Sequence, residues 1–176
     1  MKNIKLIVYM GLFIALEVVL TRFLSIQTPI VRIGFTFLPI AISAIMFGPL
    51  FSGTVAALAD VIGMILFPTG GVYFPGFTLT AFFSGVIYGL FLYKKPVNIF
   101  RILIPVTIIA IVINLALNSV WLWMITGKGF MAILPARIIR SLIMIPIEVT
   151  MIQVVWQYIG SYVKHELLPK VQMHNY

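Results

Sequence analysis

The sequence has no cysteine, only four acidic residues and only two histidines. Without cysteine, neither a disulfide nor a thiolate metal site can form. Charge of either sign is scarce: 9% of the residues are charged, against about 25% in an ordinary soluble domain. So little polar surface cannot cover a soluble core. The chain also lacks a Walker A loop, an HExxH helix and a GxSxG elbow. Its histidines, His165 and His174, both fall in the polar tail, away from any serine or carboxylate cluster. These absences argue against an enzyme and against an ATPase within the chain. They leave no metal site or bound cofactor to expect. What the sequence has instead is apolar: 62% of its residues are hydrophobic, in long runs. That composition is expected of an integral membrane protein.

Continuous apolar runs without period-two alternation predict an all-α bundle rather than a β-barrel. Six transmembrane segments are expected in a single domain, 1–176. The first covers roughly 5–24. MKNIK before LIVYMGLFIALEVVL imitates a signal peptide, but the run is long, holds Glu17 and ends without a small-x-small cleavage site, so it reads as a retained helix. The second segment starts after Arg32 and ends near Gly48. Gly48-Pro49 turns the chain into the third, roughly 50–67. The loop Pro68 to Gly76 leads to the fourth, roughly 77–93. Lys94, Lys95, Pro96 and Asn98 break the pattern before the fifth, about 102–126. Thr126-Gly127-Lys128-Gly129 separates that from the sixth, about 132–163. Segments two and three are short for a bilayer and bordered by Gly and Pro, as segments beside a binding site often are.

An even number of spans places both termini on one side. Lys2, Lys5, Lys94, Lys95, Arg101, Lys164 and Lys170 then share it, and the positive-inside rule makes it the cytoplasm. The formal charge of +8 does not indicate nucleic acid, because the cations are scattered among apolar helices with no continuous basic face. Arg22, Arg32, Lys128, Arg137 and Arg140 fall in the outer half. They either snorkel toward headgroups or form an anion site, for which the planar guanidinium is suited. The intramembrane acids are Glu17, Asp60 and Glu148. A charge at that depth is costly and usually partnered or functional. Five outer cations against three acids leaves two positive charges in excess, enough for a ligand with one or two carboxylates. Arg137, Ser141, Met144 and Glu148 share one helical face, with Arg140 beside it. That stripe should face the bundle interior.

Polar and aromatic groups gather near the same outer end. Asp60 precedes the Gly/Pro/aromatic loop by about two helical turns. Tyr73, Phe74 and Phe77 bring aromatic surface, and Thr78 and Thr80 bring hydroxyls. Asn114, Asn118 and Trp121 fall at i, i+4, i+7 on the fifth segment. Aromatic faces with a few polar groups suit a flat heterocycle; the same residues could instead form an interfacial belt and interhelical hydrogen bonds. Small-xxx-small spacings at Gly11/Ala15, Ala44/Gly48, Gly53/Ala57 and Ala81/Gly85/Gly89 predict close helix approaches. Gly11 and Ala15, in the cytoplasmic half of the first helix, could dock another membrane subunit.

Two stretches carry a family resemblance: RIGFTFLPIAISAIMFGPLFSGTVAALADVIG from Arg32, and FPTGGVYFPGFTLTAFFSGVIYGL from Phe67. They resemble the substrate-binding membrane subunit, the S component, of energy-coupling factor (ECF) vitamin transporters, in particular the folate-type (FolT) members. Length, helix number and topology are similar over nearly the whole chain. The resemblance implies an outward-open vitamin pocket, a transmembrane coupling protein as partner, and two cytoplasmic ATPase subunits that supply the energy. Gly11-xxx-Ala15 stands where that family typically has AxxxA for docking. The implied ligand is folate, with a planar pterin and a glutamate bearing two carboxylates. The expected binding residues are Arg32, Asp60, Tyr73, Phe74, Phe77, Thr78, Asn118, Trp121, Arg137 and Arg140. Tyr73, Phe74, Phe77 and Trp121 would surround the pterin, with Asp60 or Asn118 on its amino-pyrimidine edge. Arg32, Arg137 and Arg140 would take the carboxylates. Pantothenate, a thiamine precursor or riboflavin are alternative cargoes. A self-contained proton-coupled transporter using Asp60 or Glu148 is a different class of reading, distinguished by unaided uptake.

Overall fold

A computed structural model describes residues 2–27, 32–67, 73–127 and 130–166. Side chains of residues 2–3, 27, 32, 126, 130–133 and 161–166 lie outside that description. Helix α1 covers Lys2–Arg22, α2 Phe37–Phe47, α3 Pro49–Leu66, α4 Pro75–Leu92 and α5 Ile99–Ile108. A π-helical stretch, Ile109–Leu117, joins α5 to α6, Asn118–Thr126, and α7 covers Phe130–Glu166. Five helical bodies are long and apolar enough to cross a membrane, with α5, the π stretch and α6 forming one body over Ile99–Ile125. The chain is a multi-pass membrane protein of largely helical architecture.

The second body is not a long span. Its 11 residues rise about 16 Å, roughly half a hydrocarbon core. It lies in the middle of the bundle, with Pro39, Ala41, Ser43 and Ala44 buried. The second segment, expected between Arg32 and Gly48, is helical from Phe37 to Phe47. Arg32–Gly34 forms a strand, β2, antiparallel to β1, Ser25–Gln27. The all-α expectation therefore misses a two-stranded ribbon with Ile26 opposite Ile33. Backbone pairing joins Ser25–Gln27 to Arg32–Gly34 without a helix.

Proline and glycine set the corners. Pro49 and Pro75 stand in the first turns of α3 and α4, where the missing N–H costs nothing. Gly48 adopts φ +94° between α2 and α3, a conformation that disfavours a side chain. The tightest contact is between α3 and α4. A Cβ on Gly85 would stand 2.6 Å from the backbone of Ser52 and Gly53, and one on Gly89 2.3 Å from the Pro49 Cα. The Gly53 and Gly85/Gly89 spacings thus serve internal packing. Gly11 does not: a Cβ there meets nothing within 4 Å. With Ile4, Val8, Ala15 and Val19 it lies on an open face of α1, while Phe13, Glu17 and Val18 on the other side are buried.

Ser43 and Ser52 hydrogen-bond at 3.1 Å, and Ser52 also bonds the Ile40 carbonyl at 2.8 Å. These bonds tie α2 to α3. An apolar core of Phe37, Tyr88, Leu92, Ile102, Val106, Met144 and Ile152 joins α2, α4, α5 and α7.

Candidate functional site

The first turns of α4 organise the site. Successive residues of a helix point about 100° apart, so Thr78 and Thr80 face different neighbours. Thr78 faces α3 and donates to Asp60 Oδ2 at 2.7 Å. Its single hydrogen is then committed, so the Tyr73 hydroxyl, 3.2 Å away, donates to Thr78. Tyr73 itself is exposed. Asp60 also lies within electrostatic reach of Glu17 and Arg22 on α1. Arg22 stands over Gly63, one turn beyond Asp60: a Cβ on Gly63 would meet the guanidinium Nε at 3.0 Å. Glu17 is buried, and its Oε2 has no hydrogen-bond partner among the described residues. Asp60 is thus held by Thr78 and sits in the field of an arginine from α1.

Thr80 faces the other way. It is buried and hydrogen-bonds Asn118 Oδ1 at 2.9 Å, and Asn118 Nδ2 donates to Asn114 Oδ1 at 3.3 Å. The Asn114 carbonyl accepts from Arg137 Nη1 on α7. Asn114 lies in the π-helical stretch, whose widened turns replace the regular bonding pattern and often occur at functional sites. One turn beyond Asn118, Trp121 packs against Phe74 with ring centroids 5.6 Å apart, and Phe74 meets Phe77 edge-on at 6.1 Å. Both Phe74 and Trp121 lie against Gly76, where a Cβ would come within 2.8 Å of either ring. The buried Trp121 Nε1 has no partner among the described residues.

The α7 stripe faces inward as its spacing requires. Met144 and Glu148 are buried, Arg137, Ser141 and Arg140 are half-buried, and Ile138, Ile139, Leu142 and Ile143 are exposed. Arg137 and Arg140 are within electrostatic reach of each other, and Glu148 of Arg140. The buried Tyr88 hydroxyl donates to Glu148 Oε2 at 3.4 Å.

The structure therefore brings the expected residues into two adjoining groups that share the start of α4. Tyr73, Thr78 and Asp60 form one. Phe74, Phe77, Asn118 and Trp121 form the other, with Arg137 joined to it through Asn114. Arg140 stands beside Arg137. Arg32 has its backbone at the start of β2, but its side chain lies outside the described residues, as do Lys128 and the loop residues Pro68 to Val72. Sequence reasoning left Arg22, Thr80 and Asn114 out of the site. Arg22 was visible as an outer arginine, and Asn114 as part of the polar stripe.

The described residues thus gather aromatic rings, a carboxamide, a carboxylate and two arginines around the start of α4, a set of groups whose chemistry suits a flat, anionic molecule. Residues 5–156 match the model of a family described as the ECF transporter, substrate-specific component. The chain belongs to this family. It is a transporter component that confers substrate specificity. It is 47% identical over 175 residues to the folate transporter FolT of Clostridium novyi, covering 99% of both chains. It is 35% identical over 148 residues to FolT of Leuconostoc mesenteroides, covering 81% of this chain and 79% of that one. Among solved structures, a crystal structure of FolT bound with folic acid superposes with a TM-score of 0.81 at 40% identity, covering 85% of this chain and 90% of that one. The S component of a bacterial ECF transporter shares the fold, with a TM-score of 0.65 at 19% identity over 93% of this chain and 99% of that one.

Proposed function

We propose that this chain is the folate-binding S component of an ATP-driven ECF importer in the bacterial plasma membrane. The observation that carries this is its 47% identity to a folate transporter over 99% of both chains. The likeness to FolT with folic acid bound supports the same ligand. In this reading the pterin lies among Tyr73, Phe74, Phe77 and Trp121. Asn118 meets its polar edge, and Asp60 holds the adjoining wall through Thr78. Arg137, Arg140 and Arg32 receive the glutamate carboxylates in a pocket open to the outside.

Six membrane segments with both termini in the cytoplasm agree with the lysines at positions 2, 5, 94 and 95. The short α2 is then a segment buried inside the bundle. Transport requires a transmembrane coupling protein and two cytoplasmic ATPase subunits. The open α1 face at Gly11 and Ala15 is the surface where the coupling protein docks, because the missing side chain lets a second helix approach closely.

The test is folic acid binding by the chain purified in detergent, with Arg137→Ala and Arg140→Ala beside the wild type. Removing one partner of a buried charged contact costs about 2–5 kcal/mol, so each variant should bind at least about 30-fold more weakly. If both bind like wild type, the arginines do not hold the carboxylates. Mass spectrometry of molecules that co-purify with the chain identifies the cargo independently, and another vitamin in place of a folate would overturn the assignment.

A further inference from the structure

Between α5 and α7 lies a groove of about 380 Å³. Phe100 and Leu103 of α5 line it, with Ile145, Pro146, Val149 and Thr150 of α7. These stretches belong to two apolar spans, Ile99–Ile125 and Leu134–Gly160, so the groove lies at membrane depth. It opens to the outside of the bundle: Phe100 is 76% and Leu103 40% exposed. The exposed apolar surface continues beside it through Ile104, Leu142 and Ile143. The lining side chains offer no polar group to an occupant. Pro146 lacks an N–H, and the Thr150 hydroxyl is turned back to its own helix. It lies 2.7 Å from the Pro146 carbonyl and 3.1 Å from that of Ile147.

Only a second helix or a lipid tail can fill a groove at this depth. Helices that associate in a bilayer approach through small residues or bond through polar side chains. Among the described residues no glycine, alanine or serine lines the groove, and its one hydroxyl is committed. The α1 face at Gly11 is the contrary case, open because a side chain is missing. Size points the same way. Phe100 to Leu103 covers about 4.5 Å of helix and Ile145 to Thr150 about 7.5 Å, less than the width of a helix at about 10 Å. We propose that the groove between α5 and α7 is a phospholipid site that holds one acyl chain of a bilayer lipid. Left empty, its walls forfeit their dispersion contacts. A flexible apolar chain restores them and leaves no polar group unpaired. The surface it joins already faces lipid, so the chain enters from the bilayer without crossing water. The site is separate from the residues gathered at the start of α4, and it does not depend on which vitamin they bind.

The experiment reconstitutes the chain in bilayers of palmitoyl-oleoyl phosphatidylglycerol, returns it to detergent and counts bound phospholipid by native mass spectrometry. Leu103→Trp puts a large ring into the groove. Ile104→Trp puts the same ring on the next exposed position of α5, outside the lining. Wild type should carry one retained phospholipid per chain. Overfilling the groove should lower the lipid-bound fraction of Leu103→Trp about fivefold or more, while Ile104→Trp should keep the wild-type fraction. No retained lipid on wild type overturns the proposal. So does equal loss in the two tryptophan variants, which marks a general lipid annulus, and so does undiminished retention in Leu103→Trp. If that variant keeps its lipid but loses a wild-type dimer, or loses uptake with the coupling protein and ATPases, a second helix fills the groove instead. Should Leu103→Trp not be recovered folded, Phe100→Ala removes a wall at an exposed position and should lower the bound fraction in the same direction; an unchanged fraction there overturns the proposal.

Discussion

Replacing Thr78 by valine keeps the branched shape and removes one hydroxyl. In the wild type that hydroxyl bonds the Asp60 carboxylate at 2.7 Å and accepts from Tyr73 at 3.2 Å. A hydrogen bond to a charged group is worth about 1.5–3 kcal/mol. In a chain of this size each kcal/mol moves the unfolding midpoint by about 2–4 °C. Thr78→Val should therefore lower it by about 3–12 °C. The pairing is tested by a double-mutant cycle with Asp60→Ala, followed by thermal unfolding in detergent. Once Asp60 is gone, losing the Thr78 hydroxyl should cost little, so the coupling energy should reach at least about 1 kcal/mol. Additivity within about 0.3 kcal/mol would refute the view that Thr78 holds Asp60.

Further predictions concern the helix contacts and the aromatic wall. Gly85→Ala should destabilise the chain by about 1–3 kcal/mol, because its Cβ meets backbone at 2.6 Å; Gly11→Ala, inside α1 with nothing within 4 Å of its Cβ, should not lower the unfolding midpoint. Gly11→Leu should retain folic acid binding but lose most uptake when the coupling protein and ATPases are supplied in liposomes, whereas full uptake would rule out docking through this face. Folic acid should quench tryptophan fluorescence, and Trp121→Phe should abolish most of the quenching while Trp123→Phe, with Trp123 exposed at the surface, should not.

The helical bodies were legible because each is an apolar run ended by residues that stop a helix. Gly48-Pro49 marks a corner in both sequence and structure. The π-helical stretch was not legible, because its residues, Ile109–Leu117, have the same apolar character as the regular helix on either side. Nor was the ribbon: strands of three residues are too short for alternation to stand out. In the site, the polar stripe of Asn114, Asn118 and Trp121 and the inward face of α7 followed from spacing alone. Spacing did not reveal which helix each threonine addresses. Thr78 and Thr80 look equivalent in sequence, yet one holds a carboxylate on α3 and the other a carboxamide on α6. The place of Arg22 depended on a contact across helices, where Gly63 leaves room for a guanidinium.

The central claim is that this chain binds folate by itself, through groups converging on the start of α4. Calorimetric titration of the purified wild-type chain with folic acid, alongside riboflavin, pantothenate and thiamine, tests it most directly. The account predicts saturable binding of one folic acid per chain and no saturation with the other three. Absence of folic acid binding by a folded chain, or tighter binding of another vitamin, would contradict it.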